Sequence, residues 1–346
     1  MYNMRVKSIT TLPKSMRAVF AEDGRGGVEL KSVPVPQAVK GQVLVKMAAA
    51  PVNPSDLAVI TNRSGRGREY PFPIGREGSG TVVASGGGLL ANRLLGKRVA
   101  VAATGGAWAD YNLVRAAHCL PLPGNVSLEQ GSMALINPVT AVALLDIART
   151  GRHRAVVSTA AAGQLGRMIH RLFEKKGVAV LHIVRREEQA ELLKEMGARN
   201  VLVSASPEFN RDLENQSRTL KATLFLDAVG GQLTGQLMEA APAGSTILIY
   251  GWLSGETLNF RPGRLINDRI RIEGFFLGTW FRKTAPLKVL RLSRKALSLL
   301  ESDLRTEVGH KFLLSEVVSA VENALAHATE GKSLLVIDPE AVDLRP

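Results

Sequence analysis

The 346-residue chain predicts an α/β fold in two parts: a β-rich part, then a doubly wound parallel sheet. Three observations carry this. The length exceeds what one hydrophobic core usually organises. Residues 16–123 form short β-like pieces punctuated by Gly and Pro. From residue 154 apolar strands alternate with helical patterns, which implies parallel strands joined by crossovers.

In order, residues 16–20 and 43–47 read as strands, with a turn at 24–27 and Pro34 and Pro36 between them. Further β pieces follow at 80–84, 98–102 and 108–114, and the β-rich part closes near Pro123. Ser127-Leu-Glu-Gln130 is a helix start, with a capping hydroxyl and an acid in the first turn, and helical spacing holds to Leu145. The alternation then runs strand 155–159, helix 165–176, strand 178–184, helix 187–196, strand 201–203, strand 222–227, helix 233–240 and strand 245–250. The tail changes texture, with a strand at 270–277, helices at 286–301 and 314–329, and a strand at 333–338. The expected domains are 1–126, 127–279, and a segment 280–346 that returns to the first.

Hydrophobic residues make up 45% and charged residues 22%, and no apolar run reaches the roughly 18–20 residues a membrane span needs. Arg5, Lys7 and Lys14 precede no apolar stretch of the secretory kind, so a cytoplasmic protein is expected. Cys119 is the single cysteine, which excludes an intramolecular disulfide and a four-cysteine zinc site, and the six histidines lack ligand spacing. No metal is expected. The net charge of +13 points to an anionic partner or cofactor. Its basic clusters at 63–68, 152–154 and 291–295 lack aromatic interleaving, which argues against nucleic acid.

Between the strand at 155–159 and the helix that follows lies Ala160-Ala-Ala-Gly163-Gln164-Leu165-Gly166. A strand, a small-residue turn and a helix N-terminus place backbone N–H groups against a pyrophosphate. A side chain at position 163 would hold phosphates away; one at 166 would part helix from strand. Ala160 stands at the usual first Gly. About twenty residues on, where NAD sites carry an acid for the ribose hydroxyls, this chain has Arg185 and Arg186. Guanidiniums there suit a 2′-phosphate, so NADPH is the expected cofactor. The plainer alternative is a helix start with surface charges of both signs, since Glu187 and Glu188 follow.

These pieces, with Val52-Asn-Pro-Ser-Asp56, Gly75-Arg-Glu-Gly78, Gly96-Lys-Arg-Val99, Gly106-Ala-Trp-Ala-Asp-Tyr111, Asn137-Pro-Val-Thr-Ala141, Leu226-Asp-Ala-Val-Gly230, Tyr250-Gly251, Gly274-Phe-Phe-Leu277 and Gly331-Lys332, span nearly the whole chain. Together they resemble the zinc-independent quinone oxidoreductase and 2-enoyl thioester reductase branch of the medium-chain dehydrogenase/reductase superfamily. The resemblance implies a GroES-like catalytic domain interrupted by a Rossmann domain, an active site in the cleft between them, and a homodimer. Zinc-dependent relatives place ligands where this chain has Pro51-Val-Asn53 and Gly75-Arg76-Glu77, so Lewis-acid chemistry is not expected.

By the same resemblance, Asn53 faces nicotinamide and substrate, and Thr140 lies near the nicotinamide or its phosphate. Gly251 and Trp252, and later Phe276 and Leu277, touch the cofactor, and Lys332 lies near the 2′-phosphate or pyrophosphate. The simpler readings are a turn at Asn53-Pro54, a core or dimer-strand Phe276, and a solvated Lys332. Enoyl thioester reductases carry a tyrosine about eleven residues after the motif's Asn, where this chain has Ser64. Tyr70 is the substitute candidate, against a packing role. Arg63, Arg66 and Arg68 would suit an anionic substrate handle. The expected activity is hydride transfer from NADPH to an enone, enoyl thioester or quinone. The rivals are an NADPH-binding protein without turnover and, behind it, a nucleic-acid binder.

Overall fold

The computed structural model describes residues 7–9, 11–61, 69–103, 106–327 and 329–345. The chain forms two units: Met1–Pro138 with Ala296–Pro346, and Val139–Lys295. The short helix Leu128–Ser132 belongs to the first unit because it packs against the strands Gln42–Pro51, Glu77–Ser85 and Arg98–Ala102. The unit boundaries thus fall at 138/139 and 295/296, whereas the sequence reading places them at 126/127 and 279/280.

The first unit is built on an eight-stranded sheet in which Val308–Leu313, Lys332–Val336, Gln42–Pro51, Glu77–Ser85, Arg98–Ala102 and Cys119–Pro121 lie in that order. The tail enters this sheet directly: Leu335 stands opposite Ala50 in an antiparallel pairing. Inward side chains Val43, Val45, Met47, Val82, Val99, Val101 and Leu335 form its core around the fully buried Trp108. Gly75, at φ +100°, is required there because a Cβ would come within 2.6 Å of the Trp108 backbone nitrogen.

The second unit is a six-stranded, wholly parallel sheet ordered Asn200–Val203, Ala179–Val184, Ala155–Ser158, Ala222–Asp227, Thr246–Ile249 and Arg271–Gly274. In chain order this is 3-2-1-4-5-6, the doubly wound arrangement. Its central strand Ala155–Ser158 is buried at every position, as a sheet covered on both faces requires. The helix Gln164–Glu174 lays Met168, Ile169, Leu172 and Phe173 against the sheet at helical spacing.

Several elements depart from the sequence reading, among them the strands Val28–Pro34 and Val308–Leu313, which it did not include. The strand expected over 270–277 stops at Gly274, and Leu277 opens the helix Leu277–Lys283. The polar helix Phe209–Leu220 is anchored by the stripe Phe209, Leu213 and Ser217. The helix Pro54–Ile60 starts at the Asn53-Pro54 pair. No helix among the described residues is long and apolar enough to cross a membrane.

Candidate active site

In the first unit, Asn53 caps the helix Pro54–Ile60, where proline fixes the first helical φ. Its backbone N–H donates to Asp56 Oδ2 at 2.9 Å, and its side-chain Nδ2 donates to Glu77 Oε1 at 3.0 Å. Asn53 Oδ1 is buried and has no hydrogen-bond partner among the described residues. Glu77 opens the strand Glu77–Ser85, and its Oε2 accepts from the backbone N–H groups of Leu135 and Ile136 at 2.9 and 3.0 Å.

Val52 N–H donates to Ser333 O, which lays the start of the last strand alongside Asn53. Lys332 is buried there, its ammonium in the field of Glu77 and Asp56. Burial pushes the Glu77 carboxyl up to about 7 and that of Asp56 up to about 6, while hydrogen bonds and Lys332 oppose both shifts. Burial likewise lowers Lys332. Lys332 is therefore not a solvated charge; it compensates two buried carboxylates beside Asn53.

Tyr70 takes the packing role. Its hydroxyl donates to Val59 O at 3.1 Å and its ring lies 5.1 Å from that of Phe72. Val59 is six residues along the helix from Asn53, an axial rise of about 9 Å. The phenolic proton is committed to a backbone carbonyl at the opposite end of that helix. Ser64, Arg63, Arg66 and Arg68 lie outside the described residues.

In the second unit, the turn Ala160–Gly166 joins the central strand to the helix Gln164–Glu174. Ala160 has φ +49°, the left-handed conformation that a first glycine would supply. A Cβ at Gly166 would lie 2.3 Å from Ala161 O, so this glycine sets how closely the helix packs on the preceding turn rather than on the strand itself. A Cβ at Gly163 would meet only Ala160 O, at 3.3 Å. The first intrahelical acceptor is Gly163 O, bonded by Arg167 N–H at 2.9 Å, so the N–H groups of Gln164, Leu165 and Gly166 precede the helical ladder. Such a helix end fits a pyrophosphate.

Arg185 and Arg186 follow the neighbouring strand Ala179–Val184, and both are exposed. Their backbone N–H groups share Gln189 Oε1, at 3.0 and 3.3 Å, which fixes the helix start, and the Arg186 Nε stands 4.0 Å from Glu188 Oε2 in an exposed ion pair. Gly251 and Trp252 follow the strand Thr246–Ile249, and a Cβ at Gly251 would lie 2.6 Å from Ala228 O. Trp252 is half-exposed and its indole N–H donates to Glu256 O. Phe276 is half-exposed after the strand Arg271–Gly274, held by the Phe275 N–H bond to Ile249 O at 2.8 Å. Thr140 is buried within the helix Asn137–Thr150.

The turn, the arginines, Gly251–Trp252 and Phe276–Leu277 thus all follow carboxyl ends of parallel strands, the edge where doubly wound sheets bind ligands. One residue that local sequence pattern did not single out organises that edge. Asp227 is fully buried; it accepts from Thr159 Oγ1 at 2.9 Å, Thr234 Oγ1 at 2.6 Å and the N–H groups of Val229 and Gly230 at 2.9 and 3.2 Å. Glu77 and Asp56 likewise sit inside the quoted motifs with no local signal to mark them. Among the described residues, no group of three or more His, Cys, Asp or Glu is placed to hold a metal ion.

Comparison with known proteins agrees with this architecture. The alcohol dehydrogenase GroES-like domain model matches residues 39–124, and the zinc-binding dehydrogenase model matches residues 165–294. A candidate NADPH:quinone reductase from Mesorhizobium loti is 33% identical with a TM-score of 0.88, covering 95% of this chain and 100% of that one. A mycobacterial protein solved as a complex with NADPH is 26% identical, TM-score 0.81, over 93% of this chain and 100% of its own. The mitochondrial enoyl-[acyl-carrier-protein] reductase of Bos taurus is 26% identical over 81% of this chain and 77% of its own. With the nicotinamide-type edge in place, the chain is an oxidoreductase of the medium-chain dehydrogenase/reductase superfamily, in its quinone oxidoreductase and enoyl reductase branch.

Proposed function

We propose that the chain reduces an activated carbon–carbon double bond, in an enone or enoyl thioester, or a quinone, using NADPH and no zinc. The observation that carries this reading is the pair of exposed guanidiniums, Arg185 and Arg186, at the end of the strand beside the glycine turn. They offer planar, bidentate donors to a 2′-phosphate and little to a bare ribose diol. The N–H groups of Gln164, Leu165 and Gly166 would take the pyrophosphate, with Ala160 and Gly163 leaving it room. Gly251, Trp252, Phe276 and Leu277 would border the cofactor along the same edge, with Thr140 near the nicotinamide end.

When bound, NADPH supplies the hydride. Reduction of an enone or quinone leaves an enolate or phenolate, far less basic than an alkoxide, which hydrogen bonds can stabilise without a metal. That suits a chain with Asn53 and Arg76 where zinc-dependent relatives carry ligands. Asn53 would face the nicotinamide and substrate, and Lys332 would belong to its supporting network. Tyr70 is not assigned as proton donor, because its hydroxyl is already bonded to Val59 O. A homodimer would form at the open edge strand Arg271–Gly274, three of whose four residues are exposed.

Titration with NADPH and NADH, followed by steady-state oxidation of NADPH with a panel of quinones, enones and enoyl thioesters, tests the proposal. Preference for NADPH and turnover of at least one class without added zinc are expected. Equal affinity for both nucleotides, or activity only in a zinc-loaded protein, would overturn it.

A further inference from the structure

Glu77 is the most heavily hydrogen-bonded charged group beside Asn53, and the function proposed above assigns it no part. Its two oxygens are not equivalent. Oε2 is held by two backbone donors, Leu135 and Ile136 N–H, which can only donate and cannot turn away. When Glu77 is ionised, Oε1 is left to face the Asn53 carboxamide, and a carboxylate oxygen there selects the amide's nitrogen. The other end of that amide, Oδ1, is then presented as an acceptor, and among the described residues it is buried without a hydrogen-bond partner, as is Asp56 Oδ1 in the same cluster. A buried acceptor without a donor is costly, so this one points to a ligand group that completes it.

We infer that Glu77 is a positioning residue that fixes the polarity of Asn53, so that Asn53 presents its carbonyl oxygen to an N–H or O–H donor on the cofactor or substrate. The inference rests on the reading that Asn53 faces nicotinamide and substrate. It narrows that reading: Asn53 receives a hydrogen bond from a primary carboxamide or a hydroxyl, and the donor for a developing enolate lies elsewhere. Lys332 and Asp56 complete the support. The ammonium balances the buried carboxylates, and Asp56 anchors the Asn53 backbone N–H.

The same geometry provides a test in which the polarity is reversed and then restored. In Glu77→Gln, the Leu135 and Ile136 N–H groups retain the oxygen of the new amide, which turns its NH2 toward Asn53. Two facing donors are incompatible, so Asn53 turns over and presents N–H instead of oxygen. In Glu77→Gln/Asn53→Asp, the residue 53 carboxylate accepts from the amide at position 77 and again presents an oxygen, with the total charge unchanged. Binding of NADPH is measured by fluorescence titration, alongside KM and kcat for a substrate found in the panel above and a thermal melt for each variant.

Glu77→Gln is expected to weaken NADPH binding roughly tenfold if the donor is the nicotinamide carboxamide. If the donor is on the substrate, Glu77→Gln is expected instead to raise KM by a similar factor with NADPH affinity unchanged. The reduced 3-acetylpyridine analogue of NADPH, which lacks the carboxamide NH2, separates these sources. With a carboxamide donor it binds wild type weakly and Glu77→Gln no more weakly; with a substrate donor it matches NADPH on both proteins. In either case the double variant recovers most of the loss. A Glu77→Gln protein that matches wild type in both affinity and KM, or a double variant no better than Glu77→Gln, overturns the inference. Wild type that fails to bind NADPH overturns the functional reading itself, and the inference with it.

Discussion

Two glycines three residues apart answer to different constraints, and substituting each by alanine separates them. At Gly166 the new Cβ would sit 2.3 Å from Ala161 O and 2.6 Å from Ala161 C and Cα. Ordinary contact begins near 3.4 Å, and all three atoms are backbone of the turn, so helix and turn must part by about 1 Å. Overpacking of this kind costs about 1–3 kcal/mol or more. For a unit of this size that lowers Tm by roughly 2–12 °C. At Gly163, with φ −73°, alanine is conformationally acceptable and meets only Ala160 O at 3.3 Å. Gly163→Ala should therefore melt within about 2 °C of wild type. Its methyl, however, stands before the helix N–H groups, and losing charge-assisted bonds to a phosphate weakens NADPH binding roughly 10–100-fold. Differential scanning calorimetry and fluorescence titration read the two effects. Full NADPH affinity in Gly163→Ala, or an unshifted melt in Gly166→Ala, would refute the division of roles.

Arg185→Ala/Arg186→Ala should raise the Kd for NADPH roughly 10–100-fold and leave NADH almost unchanged, as isothermal titration would show; both side chains are exposed, so the preference should shrink as salt rises. Ala160→Gly relieves a left-handed φ of +49° and should stabilise the protein by about 1 kcal/mol in a denaturant titration. Stability should also depend on pH through Glu77. Its folded carboxyl lies at about 7, above the ordinary range, so between those limits the folded chain holds a proton that the unfolded chain has released. Unfolding free energy therefore rises as pH falls from about 8 towards about 5, and Glu77→Gln should flatten that rise in urea titrations at stepped pH.

The parallel sheet was legible because its central strands are buried and carry apolar runs, such as Ala155–Val157 and Leu224–Leu226. The helix Phe209–Leu220 escaped notice because only Phe209, Leu213 and Ser217 are buried, too narrow a stripe amid polar residues. Leu277 looked like strand continuation because apolar residues run through Phe275, Phe276 and Leu277, yet the strand ends where its partner Thr246–Ile249 ends. In the site, local pattern found the glycine turn and the paired arginines. It could not find the partners of Asn53. Glu77 lies 24 residues away, its N–H donors Leu135 and Ile136 lie 58 and 59 residues beyond that, and Lys332 comes from the last strand. The plainer reading of Lys332 as a solvated surface charge fails because pairing of its strand with Gln42–Pro51 buries it.

The two units hold their charges in opposite ways, and the difference follows from what each charge must meet. Arg185 and Arg186 stay in water, so folding costs them no desolvation, and their attraction for an anion remains screened and adjustable. Glu77, Asp56 and Lys332 are stripped of water when the chain folds, at a cost partly offset by backbone N–H donors and by one another. A neutral amide such as Asn53 would otherwise be free to turn over, since its two ends have nearly the same shape. Glu77 is anchored by backbone donors that cannot turn over themselves, so its free oxygen leaves Asn53 only one favourable orientation. The buried charges thus spend folding energy on orientation, whereas the exposed arginines are left in solvent, where the proposed 2′-phosphate contact would meet them.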